Sequence, residues 1–238
     1  MPDVSITQMP TKAEGTGVVE RRYAAWHIAP ELIERIPTPA EEPDAIVRHW
    51  LTRRIDPSRI TSVPTPEEEP DEWVRFHVAD RIPPELITPL MLAAEEQSPR
   101  LLTAENSEMR RRLASRMLPD NIVKLPAIEE EPDNCVRQRL AHRIPAERIA
   151  AVPPIEDEPD PMVRRALAGR IPPNRIERVL TRAEEPDECV RRQIAMHIPA
   201  ERIEKVPSIE DEPDANVREW LARRKPRSQA AATGPGHR

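Results

Sequence analysis

Residues 156–176 read Glu-Asp-Glu-Pro-Asp-Pro-Met-Val-Arg-Arg-Ala-Leu-Ala-Gly-Arg-Ile-Pro-Pro-Asn-Arg-Ile. Residues 129–149 read Glu-Glu-Glu-Pro-Asp-Asn-Cys-Val-Arg-Gln-Arg-Leu-Ala-His-Arg-Ile-Pro-Ala-Glu-Arg-Ile. The two stretches are in one register, 27 residues apart. Working outward, the proline of Glu-Pro-Asp recurs at Pro43, Pro70, Pro132, Pro159, Pro186 and Pro213, and every gap but one is 27 residues. The exception, 62 residues long, holds a degenerate copy with Glu105-Asn106 in place of Pro-Asp, preceded by an insertion of eight residues within 91–104. A further copy without Pro-Asp begins near Gly17, giving eight units. Counting each unit from its proline, position six is Arg throughout: Arg21, Arg48, Arg75, Arg110, Arg137, Arg164, Arg191 and Arg218. Position eighteen is Ile in the seven copies that reach it, from Ile33 to Ile203. A fixed period of this length is the mark of stacked repeats.

Within a unit, Pro-Asp reads as a helix start, with proline in the first turn, where its missing amide costs nothing, and Asp against the positive helix end. A second proline at position fourteen or fifteen (Pro57, Pro83, Pro145, Pro172, Pro199) stops the helix after about three turns. The stretch from there to the next proline, such as 57–64, suits a 3-10 turn and is too short for a useful α-helix. Positions five, nine, ten and thirteen fall on one helical face, as in Val136, Leu140, Ala141 and Ile144, and the turn adds residues such as Ile149 and Val152. So few apolar side chains cannot offset the ordering entropy of a unit alone, so neighbours must share one core. The expected fold is all-α, a right-handed solenoid of about eight 27-residue repeats, each an α-helix plus a 3-10-like turn, in two layers. It covers residues 17–225, with tails at 1–16 and 226–238 and the insertion within 91–104.

The run Val-Arg-Arg-Ala-Leu-Ala-Gly-Arg-Ile-Pro-Pro-Asn-Arg-Ile at 163–176, with Glu-Asp-Glu-Pro-Asp before it, resembles the leucine-rich repeat variant family. The resemblance implies α-helices alternating with 3-10 helices, and it implies no single activity. A nitrogen-fixation-associated member carries an iron–sulfur cluster on an N-terminal cysteine group. Cys135 and Cys189 are the only cysteines here, where a four-iron cluster needs about four thiolates, so that role does not carry over and no cofactor is expected.

Composition agrees with a stiff helical stack. The chain has 30 Pro against 5 Gly, so proline sets turns where a flexible linker would use glycine. Trp, Tyr and Phe together are too few to build a core, which falls to Ile, Val, Leu and Ala. A net charge of −6 disfavours a protein that simply coats nucleic acid or anionic membrane. No apolar run reaches the ~20 residues of a membrane span, and the first 17 residues hold no secretory apolar segment, so a cytoplasmic protein is expected. Two cysteines in units two apart are too distant to pair, which leaves free thiols.

The repeated arginines read as structural. Positions six and twelve (Arg54, Arg81, Arg116, Arg143, Arg170, Arg224) flank the apolar face, where the stem is buried and the head stays at the edge. Asp44, Asp71, Asp133, Asp160, Asp187 and Asp214 stand four residues before position six, a helical salt-bridge spacing, so the rows are expected to bridge acidic connections and hold the register. The acidic connections lack the pattern of a calcium loop, the histidines lack ligand spacing, and no nucleophile, glycine loop or paired catalytic motif is present, so no enzyme and no metal site are expected.

Function is sought where the units differ. Positions four, seven, eight and eleven vary and lie away from the core, in a strip that carries Tyr23, Trp26, Trp50, Trp73 and Phe76 at its N-terminal end and Arg111, Arg112, Arg139, Arg165 and Arg192 further on. Exposed aromatics beside arginine are usual interface anchors. The expected activity is non-enzymatic binding of a protein or peptide, a second copy in a homodimer included, with the arginines meeting acidic groups on the partner. The alternative is nucleic-acid binding by the same side chains. A plainer alternative is that the aromatics only close the open end of the core.

Overall fold

The computed structural model describes residues 17–88, 104–125, 128, 130–205 and 211–224. The two tails and nearly all of the insertion lie outside these. Glu-Pro-Asp acts one step earlier than its sequence suggests. Proline stands before the helix, and Asp is the N-cap: Asp44, Asp71 and Asp187 each accept the amide three residues on at 3.0 Å, and Asp133, Asp160 and Asp214 also take the amide two residues on. That cap satisfies the amides a helix start leaves free. The aspartates are therefore engaged with backbone, and the expected pairing with the arginine four residues on is replaced by the one described below.

Eight helices result among the described residues: α1 Val18–His27, α2 Ala45–Arg54, α3 Glu72–Arg81, α4 Ala104–Arg116, α5 Asn134–Ala141, α6 Pro161–Ala168, α7 Glu188–His197 and α8 Ala215–Arg224. Each of the first seven is followed by a 3-10 turn, such as Pro57–Arg59 after α2 and Pro173–Arg175 after α6, and no strand occurs among the described residues. The chain forms two compact units. The first carries α1 to α5, the second α6 to α8. Consecutive helices pack on one another within each.

The core is the aliphatic ladder the period predicts. Val47, Leu51 and Ile55 of one repeat lie beside Val74, Val78 and Ile82 of the next, all buried, with Ile60 and Ile87 beneath them from the turns. The small residue at position ten is buried too in the first seven repeats, and where it is Thr52 the hydroxyl donates to the Arg48 carbonyl at 2.8 Å. Two connections carry a further lock. Glu41 accepts the backbone amide and hydroxyl of Thr38 and pairs with Arg35, and Glu184 does the same with Thr181 and Arg178. These bonds favour the carboxylate and hold both acids at about 2.

Candidate interaction surface

The first layer of any site here is what fixes the helices, and arginine does this in three rows. Position six points inward. Arg48 Nε and Nη2 meet both carboxylate oxygens of Glu69 at 2.7 Å, and its Nη1 donates to the Glu42 carbonyl at 2.7 Å. Arg21 with Glu42, Arg110 with Glu131, Arg164 with Glu185 and Arg191 with Glu212 repeat the pairing across 21 residues. Each glutamate stands just before the next unit's proline, and its carboxylate also accepts the following aspartate's amide, as in Asp71 N to Glu69 at 2.9 Å. The arginine heads are buried with their stems, contrary to the expectation of heads at the edge, because a carboxylate and a carbonyl come in with them.

Position twelve serves the helix ends. Arg54 donates to the Ile28 carbonyl at 2.7 Å, Arg81 to Ile55 at 2.5 Å, Arg143 to Met117 at 2.7 Å and Arg170 to Ile144 at 2.8 Å, in each case a position-thirteen carbonyl past a helix end. The third row, not anticipated from the sequence, lies at position seventeen. Arg59, Arg175 and Arg202 donate to the Ile33, Ile149 and Ile176 carbonyls, and Asn121 takes the same part toward Ile87 at 2.9 Å. Its signal was available, since Arg stands directly before the invariant Ile in four units.

On this scaffold the first unit presents a run of rings. Trp26 of α1 contacts Trp50 of α2 with centroids 3.9 Å apart, the Arg53 guanidinium lies 5.1 Å from the Trp50 ring, and Trp50 meets His49 edge-on at 5.2 Å. His49 then meets His77 of α3 at 4.4 Å, while Tyr23 rests on His27 at 4.3 Å. Tyr23 and Trp26 are each 49% exposed and Trp73 is 58% exposed, while Trp50 is half-buried. Ile46 adds an exposed aliphatic beside them.

Phe76 departs from the exposed strip. It is 8% exposed, packed edge-on against Trp73 and covered by the Arg112 guanidinium at 5.1 Å. A helical wheel places position seven outward, but it takes no account of the neighbouring helix, whose long position-eight side chain closes over the ring. Arg112 is itself held by Asp80 and by Glu108, and Arg111 by Asp133 at 2.7 Å. Arg22 pairs with Asp44 in the same way, so position seven of one unit reaches the N-cap of the next. Arg139 is exposed and Arg165 half-buried, with no ion pair for either among the described residues, and Arg192 lies 3.6 Å from Cys189 Sγ. Arg139 belongs to the first unit and the other two to the second. Of the ten side chains the sequence singled out, the fold brings Trp26 with Trp50 and Phe76 with Trp73 and Arg112 into contact.

Burial lowers the pKa of both His49 and His77, helped by charge from His77 and then Arg53 at His49 and from Arg53 above all at His77, and opposed by Asp71 at the first and Asp80 at the second. A histidine whose folded pKa is lowered stabilises the fold above its unfolded value near 6.5, and that contribution is lost as pH falls below it. Thermal melts between pH 8 and 5 should therefore show stability falling below about pH 6.5, and His49→Gln should flatten that part of the profile. An unchanged profile in the variant would mean that the ring pair contributes nothing.

Both cysteines are free thiols. No helix among the described residues is long and apolar enough to cross a membrane, and no group of three or more metal-ligating side chains is present among them. A cleft of about 310 Å³ in the first unit is lined by Ile36, Pro37, Ile55, Ile60, Val74 and Val78, the repeat's own core and turn residues. Its counterpart in the second unit, about 290 Å³, is built likewise.

Helix, 3-10 turn and acidic connection, repeated with buried arginine rungs, define an all-α repeat protein. The particular fold is that of a leucine-rich repeat variant. A solved structure described as a leucine-rich repeat variant with a novel repetitive protein structural motif is similar over 89% of this chain and 78% of its own, with TM-score 0.59 and 25% sequence identity. No protein-family model and no curated protein sequence matches the chain.

Proposed function

We propose that this chain is a non-enzymatic scaffold that holds a protein or peptide segment on the aromatic face of its first unit. The observation that carries this is the exposure of Tyr23 and Trp26 on α1 and of Trp73 on α3, helices whose register with α2 is fixed from beneath by buried ion pairs. Large apolar rings on a rigid base lose little entropy on binding, which is why such side chains serve as anchors. Trp73 stands in the third repeat, beyond the reach of an end cap. Arg53 makes no ion pair among the described residues, so the face offers cationic charge beside indole and suits a segment carrying both acidic and apolar side chains. The engagement of Arg111 and Arg112 by the chain's own carboxylates favours this over nucleic-acid binding, because it withdraws two cations a phosphate backbone would need. Free thiols suit a reducing compartment, in keeping with a cytoplasmic site of action.

Capture from native-host lysate by the wild-type chain, with and without nuclease, is the test, with Trp26→Ala/Trp73→Ala as the comparison. A bound protein indifferent to nuclease should appear with the wild type, and its affinity for the purified variant should fall on the order of 100-fold or more, since two anchors are removed. Retention by the variant would reduce the rings to a cap, and loss of the catch on nuclease treatment would favour nucleic acid. A concentration-dependent dimer of the wild type alone would identify the partner as a second copy.

A further inference from the structure

One rung of the buried arginine row differs from its counterparts. Arg75 is 5% exposed, and its Nη1 donates to the Glu69 carbonyl at 2.6 Å, as in the other units. Its Nε, buried, meets no acceptor, and no carboxylate pairs with the guanidinium among the described residues. Arg21, Arg48, Arg110, Arg164 and Arg191 each hold a glutamate carboxylate by Nε and Nη2. The cause is in the sequence. Repeat register puts Ala104 where those units have glutamate, and α4 begins there, so a helical turn occupies the place of the acidic connection. Arg81 and Arg170 also leave Nε without an acceptor, but each donates Nη2 to a helix-end carbonyl in the ordinary way of position twelve.

A buried guanidinium without a counter-charge costs several kcal/mol, and the donors left over here, Nε and Nη2, are the pair that grips a carboxylate elsewhere in the molecule. We infer that Arg75 is a binding site for a small carboxylate supplied from outside the chain, held by Nε and Nη2 as the glutamates are held in the other rungs. The site is separate from the aromatic face and stands or falls independently of it.

Melting the full-length chain in sodium acetate and in sodium chloride of equal ionic strength tests this, with Arg75→Gln and Glu95→Gln/Glu96→Gln as variants. Acetate should raise the wild-type Tm saturably over chloride, and Arg75→Gln, which folds without a buried charge to neutralise, should melt no lower than wild type and show no acetate effect. The Arg75 Nε–H resonance, assigned by its disappearance in Arg75→Gln, should shift with acetate. The inference is overturned if wild type and Arg75→Gln respond alike. It is overturned equally if Arg75→Gln melts as low as Arg48→Gln, since Arg75 would then already be paired. An acetate response that appears only in Glu95→Gln/Glu96→Gln would show that the chain supplies the carboxylate itself, and would also overturn it.

Discussion

Glu69→Ala should lower the stability of the first unit by about 3–5 kcal/mol, the usual consequence of removing one partner from a buried pair. Arg48 would keep its burial and its bond to the Glu42 carbonyl but lose both carboxylate oxygens, each now 2.7 Å from a guanidinium nitrogen. The Asp71 amide would lose its acceptor as well. Arg48→Met/Glu69→Leu removes both charges and fills the space with apolar atoms. It should cost less than the single substitution, because no charge stays buried unpaired: the Asp71 amide is unmet in both proteins, and the Glu42 carbonyl, the one acceptor lost in addition, is a neutral group. Urea unfolding of the three proteins, followed by circular dichroism, measures the order. Equal losses for single and double, or a loss below about 1 kcal/mol for Glu69→Ala, would mean the rung is hydrated and does not hold the stack.

The same rung shows what a sequence can and cannot display. Period, helix stop and aliphatic core were legible because each depends on neighbours within one unit: proline at position fourteen fixes its own φ, and Val136 and Leu140 share a face by helical geometry alone. That arginine at position six bridges adjoining units was also legible, from its presence in every copy. Its partner was legible only as the acidic connection of a neighbouring unit, with Asp at i−4 as a competing choice. Asp at i−4 is the nearest acid along a helix, yet it is taken by the helix start, and the true partner stands 21 residues on, where only the stacking distance brings it close. The aromatic strip divides for the same reason. Trp73 and Phe76 are three residues apart on one helix, and the reach of Arg112 from the next helix decides that one is open and the other covered. The charges of Arg111 and Arg112 were visible, but their engagement by Asp133 and Asp80 is a property of the assembled repeats.

Ile122→Ala should cost about 2–5 kcal/mol, and Val123→Ala, one residue away, no more than about 0.5 kcal/mol. Both remove branched aliphatic carbon from the strand-like exit of the Pro119–Asn121 turn. Ile122 N donates to the Pro119 carbonyl at 3.1 Å, and the backbone there is extended, so successive side chains point to opposite sides. Ile122 is 2% exposed and Val123 69% exposed. A loss confined to Ile122 would establish that the turn layer carries the core along with the helices, since position eighteen contributes no helical contact of its own. That result also bears on why every full unit keeps isoleucine there while position nineteen varies among Thr, Ala, Val and Glu. With three or four core side chains per helix, a unit is marginal, and the second layer supplies the apolar surface that makes stacking favourable. Equal small losses at the two positions would instead assign the stability of the stack to the helices and arginine rungs alone, and the turns would be connections that proline merely stiffens.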